Sequence, residues 1–223
     1  MEKVLLSASV MCANVLNLGE ALREIEQSGI DMLHCDVMDN HFVPNLMLPP
    51  EMLNKLRVAT SIPFDYHLMV TDPYSVFARL DVREGDMVSF HYESGANVDE
   101  LISAIKAKKA KACIAISPET PITAVEKWFD KLDVLLVMTV RPGFAGQPLY
   151  EGSMEKISLA KKYADVYGFM IQVDGNCSFE NCPVMVKNGA NILVVGTSSV
   201  FKKGQTIKEG VDKLTKLLCA EEE

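Results

Sequence analysis

The sequence lacks the spacings and runs that mark several large classes of protein. None of its six cysteines (Cys12, Cys35, Cys113, Cys177, Cys182, Cys219) forms a Cys-x-x-Cys pair. This argues against a zinc ribbon or a dithiol redox motif and reads as the reduced thiols of a cytoplasmic protein. No Pro-, Ser- or Gly-rich linker, low-complexity run or shift in composition divides the 223 residues, which predicts a single domain over residues 1–223. Positive charge is also short. With 22 Lys and Arg against 30 Asp and Glu, the net charge is −8, which disfavours a nucleic-acid surface or an anionic membrane as partner. No apolar run is long enough to span a bilayer, and the first residues lack the basic-then-apolar layout of a signal peptide. Glu221 to Glu223 read as a frayed acidic end.

What is present is alternation. Short β-rich runs are expected at Val4–Met11, Met32–Met38, Phe64–Val70, Asp86–Tyr92, Ala112–Ile116, Val134–Thr139, Phe169–Val173 and Ile192–Val195. Helical patterns follow them at Leu18–Gln27, Pro50–Val58, Pro73–Leu80, Val98–Lys108, Pro121–Asp130, Met154–Ala164, Phe179–Lys187 and Ile207–Leu218. Eight β-then-α units predict an α/β chain folded as a (β/α)₈ TIM barrel. A doubly wound sheet fits less well. It would carry a glycine-rich loop after its first strand, and Val10–Asn14 holds no glycine.

In such a barrel the chemistry lies at the C-terminal ends of the strands. Alternate residues of a strand share a face, so Ser7 and Ser9, then His34, Asp36 and Met38, then Asp65, His67 and Met69 form three sets. A histidine and a carboxylate buried two apart need a shared reason: one hydrogen-bonded pair, or a metal ion that offsets the desolvation of both. With Asp174 ending the seventh strand, His34, Asp36, His67 and Asp174 converge on one mouth, which favours the metal. That donor set suits one divalent ion among Zn²⁺, Fe²⁺, Mn²⁺ and Co²⁺. Met38, Met69 and Met138 stand at the same strand ends, either as core filler or as a soft lining that keeps water from a carbanion-like intermediate. His91 fits a hydrogen-bonded histidine near the site better than a fifth ligand, and exposed His41 has no assigned role.

Glycines recur at three successive strand ends, at Gly143, Phe144, Ala145 and Gly146, at Gly175 and Asn176, and at Gly196 and Thr197. Loops of this kind let backbone N–H groups approach an anion, helped by helix N-termini. This predicts a barrel of the phosphate-binding type.

The segments Ser9-Val-Met11, His34-Cys-Asp-Val-Met-Asp39, His41-Phe-Val-Pro-Asn45, His67-Leu-Met-Val70, Val137-Met-Thr-Val140, Pro142-Gly-Phe-Ala-Gly-Gln147 and Val173-Asp-Gly175 carry a resemblance. Over nearly its whole length the chain resembles the ribulose-phosphate 3-epimerase family. The resemblance implies a metal-dependent enzyme that inverts C3 of a phosphorylated ketose, and a homo-oligomer. It implies His34, Asp36, His67 and Asp174 as ligands, with Asp36 and Asp174 doubling as catalytic acid and base. Ser9, His67, Met38, Met69 and Met138 are expected to contact substrate, and the three glycine loops its phosphate. Ala145, Asn176 and Gly196-Thr-Ser198 depart from the commoner Gly-Phe-Gly-Gly, Val-Asp-Gly-Gly and Gly-Ser-Ala patterns. With Pro44-Asn-Leu-Met-Leu-Pro49 they resemble the allulose-6-phosphate 3-epimerase branch. The expected substrate is therefore a six-carbon ketose phosphate, with ribulose 5-phosphate close behind.

The rivals each lack something. An aldolase or decarboxylase would need a lysine at a strand end, and none of the expected strands ends in one. A non-catalytic sugar-phosphate sensor would be marked by loss of a ligand, and all four candidates are present. A metal-dependent hydrolase leaves the glycine loops unexplained.

Overall fold

The computed structural model describes residues 3–220; the acidic end at 221–223 lies outside them. Nine strands form one sheet: β1 Leu5–Ser9, β2 Met32–Asp39, β3 Leu46–Met47, β4 Phe64–Met69, β5 Met87–His91, β6 Lys111–Ile116, β7 Val134–Met138, β8 Met170–Asp174 and β9 Ile192–Val195. Eight of them are parallel neighbours, and β1 pairs with both β2 and β9, so the sheet closes into a barrel. The flanking helices are α1 Leu18–Ser28, α2 Pro50–Leu56, α3 Pro73–Phe77, α4 Val98–Ala107, α5 Ser153–Tyr167, α6 Asn181–Lys187 and α7 Ile207–Ala220. This is the expected TIM barrel.

Both faces of these strands are covered, so β7 and β9, and β6 beyond Lys111, read as continuous apolar runs. One face meets the helices: Leu33, Cys35 and Val37 of β2 join the large outer core with Leu22 and Ile25 of α1. The other face fills the barrel. Its floor is apolar, built from Met32, Met87, Val134 and Ile192 at the strand starts. Its upper part is polar, and Ser7, His34, Asp65, His67, Ser89, His91 and Gln172 are fully buried there. That change of character along the barrel axis positions the site.

Three local readings needed correction. The first strand stops at Ser9, and Val10–Cys12 turn as a 3₁₀ segment. The expected helix at Pro121–Asp130 is instead a 3₁₀ run over Ile122–Trp128. The loop after β2 contains β3, which folds back antiparallel onto β2 through the pairs Met38 with Met47 and Asp39 with Leu46. Among the described residues no helix is long and apolar enough to cross a membrane.

Candidate active site

At the C-terminal mouth, β2, β4 and β8 deliver His34, Asp36, His67 and Asp174 to one point, with one ligand atom from each within 4.8 Å of all the others. His34 Nε2 lies 3.2 Å from Asp36 Oδ1 and 3.7 Å from Asp174 Oδ2. His67 Nδ1 lies 3.3 and 3.5 Å from the same two oxygens. Register explains the convergence, since Asp36 pairs with His67 and Met138 with Asp174 along adjacent strands.

Each ring is held from behind. His34 Nδ1 donates to Asp65 Oδ2 at 2.7 Å, and the same oxygen accepts from Ser7 Oγ at 2.8 Å and Gln172 Nε2 at 2.5 Å. Asp65 thus ties together β1, β2, β4 and β8. His67 Nε2 meets His91 Nε2 at 2.9 Å, and His91 Nδ1 meets Glu93 Oε2 at 3.0 Å. Sequence reasoning placed Asp65 and Ser7 on inward faces without a role, and it missed Gln172 and Glu93. The signal for Glu93 was its spacing, two residues beyond a buried histidine.

The electrostatics of the cluster favour a cation. Full burial works against a charged His34, yet the carboxylates of Asp65 and Asp36 raise it well above its ordinary value. Burial likewise disfavours ionised Asp36, but His34 and His67 hold it well below the usual carboxylate range. Burial pushes Asp174 up; the charge of Asp36 adds to this while His34 opposes it. Two buried imidazoles and two carboxylates facing one point form a donor set that a divalent ion fits, with each histidine anchored through its other nitrogen.

A cavity of about 560 Å³, solvent at its mouth included, opens over this cluster. Ser9, Asp36 and Asp174 reach its wall, and Ser9 Oγ donates to Asp36 Oδ2 at 3.1 Å. Met38, Met69 and Met138 also line it. Met38 and Met69 pack with Val43, whereas Met138 belongs to the barrel-filling cluster. His67, expected to touch substrate, is fully buried behind the carboxylates and does not line the cavity.

All eight residues expected around phosphate also line the cavity: Gly143, Phe144, Ala145, Gly146, Gly175, Asn176, Gly196 and Thr197. Gly175 has φ +119°, and a Cβ there would stand 2.8 Å from the Val140 backbone nitrogen. Only glycine lets the chain pass. Asn45 Nδ2 donates to the Gly143 carbonyl at 2.8 Å, linking the loops after β2 and β7. Asn176 Nδ2 donates to the Gln147 carbonyl at 2.9 Å, linking those after β7 and β8. The helix-dipole contribution expected here is corrected: α5, α6 and α7 begin only at Ser153, Asn181 and Ile207. What these loops offer an anion is backbone N–H groups of turns.

A second brace lies at the rim. Asp39 accepts from the His41 and Phe42 N–H groups and from the N–H and hydroxyl of Thr71, each at 2.8 Å. It joins the loop after β2 to the loop after β4.

Comparison with known proteins adds the ancestry. Residues 5–201 match the model of the Ribulose-phosphate 3 epimerase family. The ribulose-phosphate 3-epimerase of Bacillus subtilis (strain 168) is 36% identical over 193 residues, spanning 85% of this chain and 89% of that one. The ribulose-phosphate 3-epimerase of Buchnera aphidicola (subsp. Baizongia pistaciae) is 37% identical over 230 residues, spanning 98% and 99%. Among solved structures, KGPDC from Streptococcus mutans superposes with a TM-score of 0.69 at 11% identity, covering 98% of this chain and 99% of that one. That likeness speaks for the barrel alone. The chain belongs to the ribulose-phosphate 3-epimerase family, and so to the isomerases.

Proposed function

We propose that the chain interconverts D-ribulose 5-phosphate and D-xylulose 5-phosphate by inverting C3, with Asp36 and Asp174 as the acid–base pair. The observation that carries this is the placement of two carboxylates, one held ionised and one pushed towards its protonated form, on the wall of a single cavity that three glycine loops also line.

The C3 hydrogen of a 2-ketose is weakly acidic because it neighbours the carbonyl. One carboxylate removes it, and the opposite carboxyl returns a proton to the other face, so the sugar need not turn over. Asp36 and Asp174 exchange these roles when the direction reverses. His34, Asp36, His67 and Asp174 would hold one divalent ion, which when bound stabilises negative charge on the substrate oxygens. Ser9 steadies Asp36 through its hydroxyl. The three methionines make the inner wall apolar, which limits the access of water to the carbanion-like state. The turns at Gly143–Gly146, Gly175–Asn176 and Gly196–Thr197 hold the phosphate. The six unpaired cysteines fit a reducing compartment such as the cytoplasm. The homo-oligomer implied by the family is tested by light scattering.

The names of the relatives support a pentulose phosphate over the six-carbon sugar expected from the loop variants. A six-carbon ketose phosphate such as allulose 6-phosphate stays as the second reading, because Ala145 and Asn176 line the cavity where the pattern departs. Proton NMR in D₂O on metal-loaded protein, with each sugar phosphate in a separate tube, decides. Loss of the C3 proton with appearance of the epimer is expected, faster with ribulose 5-phosphate. Faster exchange of allulose 6-phosphate would reverse the order, and exchange in neither tube would remove the epimerase reading.

A further inference from the structure

His91 and Glu93 reach neither the cavity nor the cluster of four, yet both belong to one hydrogen-bonded chain that ends on His67. His91 is fully buried, stacked on His67 with ring centroids 5.1 Å apart and braced by Phe42 at 4.9 Å. Its two nitrogens meet different partners: Nε2 lies 2.9 Å from His67 Nε2, and Nδ1 lies 3.0 Å from Glu93 Oε2. Between two imidazole nitrogens only one can carry the shared proton, so the partner at the far end decides which.

That partner is an acceptor. Burial would raise the Glu93 carboxyl, but hydrogen bonds from His91, Thr120 and the Ser117 N–H hold it at about 2. Glu93 Oε1 takes the Ser117 N–H at 2.8 Å together with the Thr120 hydroxyl. Oε2 is therefore left to take a proton from His91 Nδ1. With its proton on Nδ1, His91 must accept at Nε2, and His67 must donate from its own Nε2. The lone pair of His67 Nδ1 then faces Asp36 and Asp174.

We infer that His91 and Glu93 are positioning residues that fix the His67 ring proton on Nε2 and so keep Nδ1 free to hold a divalent cation. The inference rests on the cation reading of the four-residue cluster. It gives Glu93 a function that its distance from the cavity conceals, since a carboxylate two residues removed in the hydrogen-bond chain sets the tautomer of a ligand.

The geometry also fixes what Glu93→Gln does. The Ser117 N–H is an obligate donor, so the amide oxygen must stay on that side and the amide NH₂ must face His91. His91 Nδ1 then accepts, its Nε2 donates, and His67 carries its proton on Nδ1, pointing into the cluster. The variant preserves shape and reverses the direction of every hydrogen bond in the chain.

The test is ¹⁵N NMR of the imidazole nitrogens in the metal-free full-length protein, beside a Co²⁺ titration. With four histidines in the chain, each is assignable by single substitution. The expected result is His67 protonated on Nε2 in the wild type and on Nδ1 in Glu93→Gln. The variant should also lose roughly 10- to 100-fold in Co²⁺ affinity with an unchanged circular dichroism spectrum. A wild-type His67 protonated on Nδ1 overturns the inference, as does a variant with both the nitrogen pattern and the Co²⁺ affinity unchanged. If the variant does not fold, the wild-type pattern decides alone. A wild type with the expected pattern that binds neither Co²⁺ nor Zn²⁺ removes the cation reading while leaving the placement of the His67 proton established.

Discussion

His34 and His67 present opposite ring nitrogens to a common point. Nε2 of His34 and Nδ1 of His67 lie 3.2 Å apart, and each ring's remaining nitrogen is engaged by a different buried partner, Asp65 or His91. The two supports come from different places in the barrel. Asp65 sits among β1, β2 and β8, whereas the His91 chain runs out through β5 towards the loop after β6. The two histidines can therefore be disturbed one at a time.

Removing either cavity carboxylate is the most direct probe of the chemistry. Asp36→Asn and Asp174→Asn keep the shape and abolish proton transfer, so kcat for C3 exchange should fall roughly 10²- to 10⁴-fold. Single-turnover exchange in D₂O, started from each epimer, measures it. Full turnover in either variant would end the two-carboxylate reading.

Asp65 should matter although no substrate reaches it. In Asp65→Asn one amide position falls where Asp65 Oδ1 has no hydrogen-bond partner. That orphans a buried N–H group at a cost of about 1–3 kcal/mol. The His34 ring also loses the carboxylate that anchors it, and divalent-ion affinity should drop about 10- to 100-fold. Urea unfolding and a Zn²⁺ competition titration separate the two effects; a variant unchanged in both would show that Asp65 is passive filling.

Gly175→Ala introduces a Cβ 2.7–2.8 Å from Val140 at φ +119°. The strained backbone alone costs about 1–3 kcal/mol, and the loop must shift to relieve the contact. The expected signature is a raised KM for the phosphorylated ketose at a lowered Tm. An unchanged KM would place the phosphate elsewhere.

Asp39 predicts an acid limit. Burial works to raise its carboxyl, but the N–H groups of Thr71, Phe42 and His41 and the Thr71 hydroxyl hold it at about 2, below the ordinary 3.8 of an aspartate. A depressed folded-state value means the contribution is complete above pH 3.8 and is lost as the pH falls through about 2. At this solvent-screened rim it amounts to under about 1 kcal/mol. Chemical denaturation of wild type and Asp39→Asn between pH 6 and 2 should show a gap that closes below pH 4. A gap of constant size would assign the difference to something other than ionisation.

Much of this was legible in the sequence because the barrel repeats. Turn residues punctuate eight βα units, and a period of two on β2 and β4 put His34, Asp36 and His67 on inward faces without any knowledge of their neighbours. What stayed hidden depended on pairing across distance. Gln172 and Asp65 are 107 residues apart, and nothing within Met170–Asp174 announces that Gln172 points at a carboxylate on β4. β3 was hidden for another reason, since a two-residue strand carries no periodicity. The 3₁₀ run at Ile122–Trp128 buries Ile122, Val125 and Trp128, a three-residue spacing that also suits an α-helix, so pattern alone does not separate them.

The double pairing of β1 has a consequence for assembly. β1 meets β2 on one side and β9 on the other, so Asp36 and Asp174 stand on either side of the seam where the ring is sealed. A chain ending after β8 would contain His34, Asp36, His67 and Asp174, yet it would lack the strand that brings β8 round to β1. The four side chains would then reach their final spacing only with the last strand, which makes the geometry of that cluster a reporter of ring closure during folding.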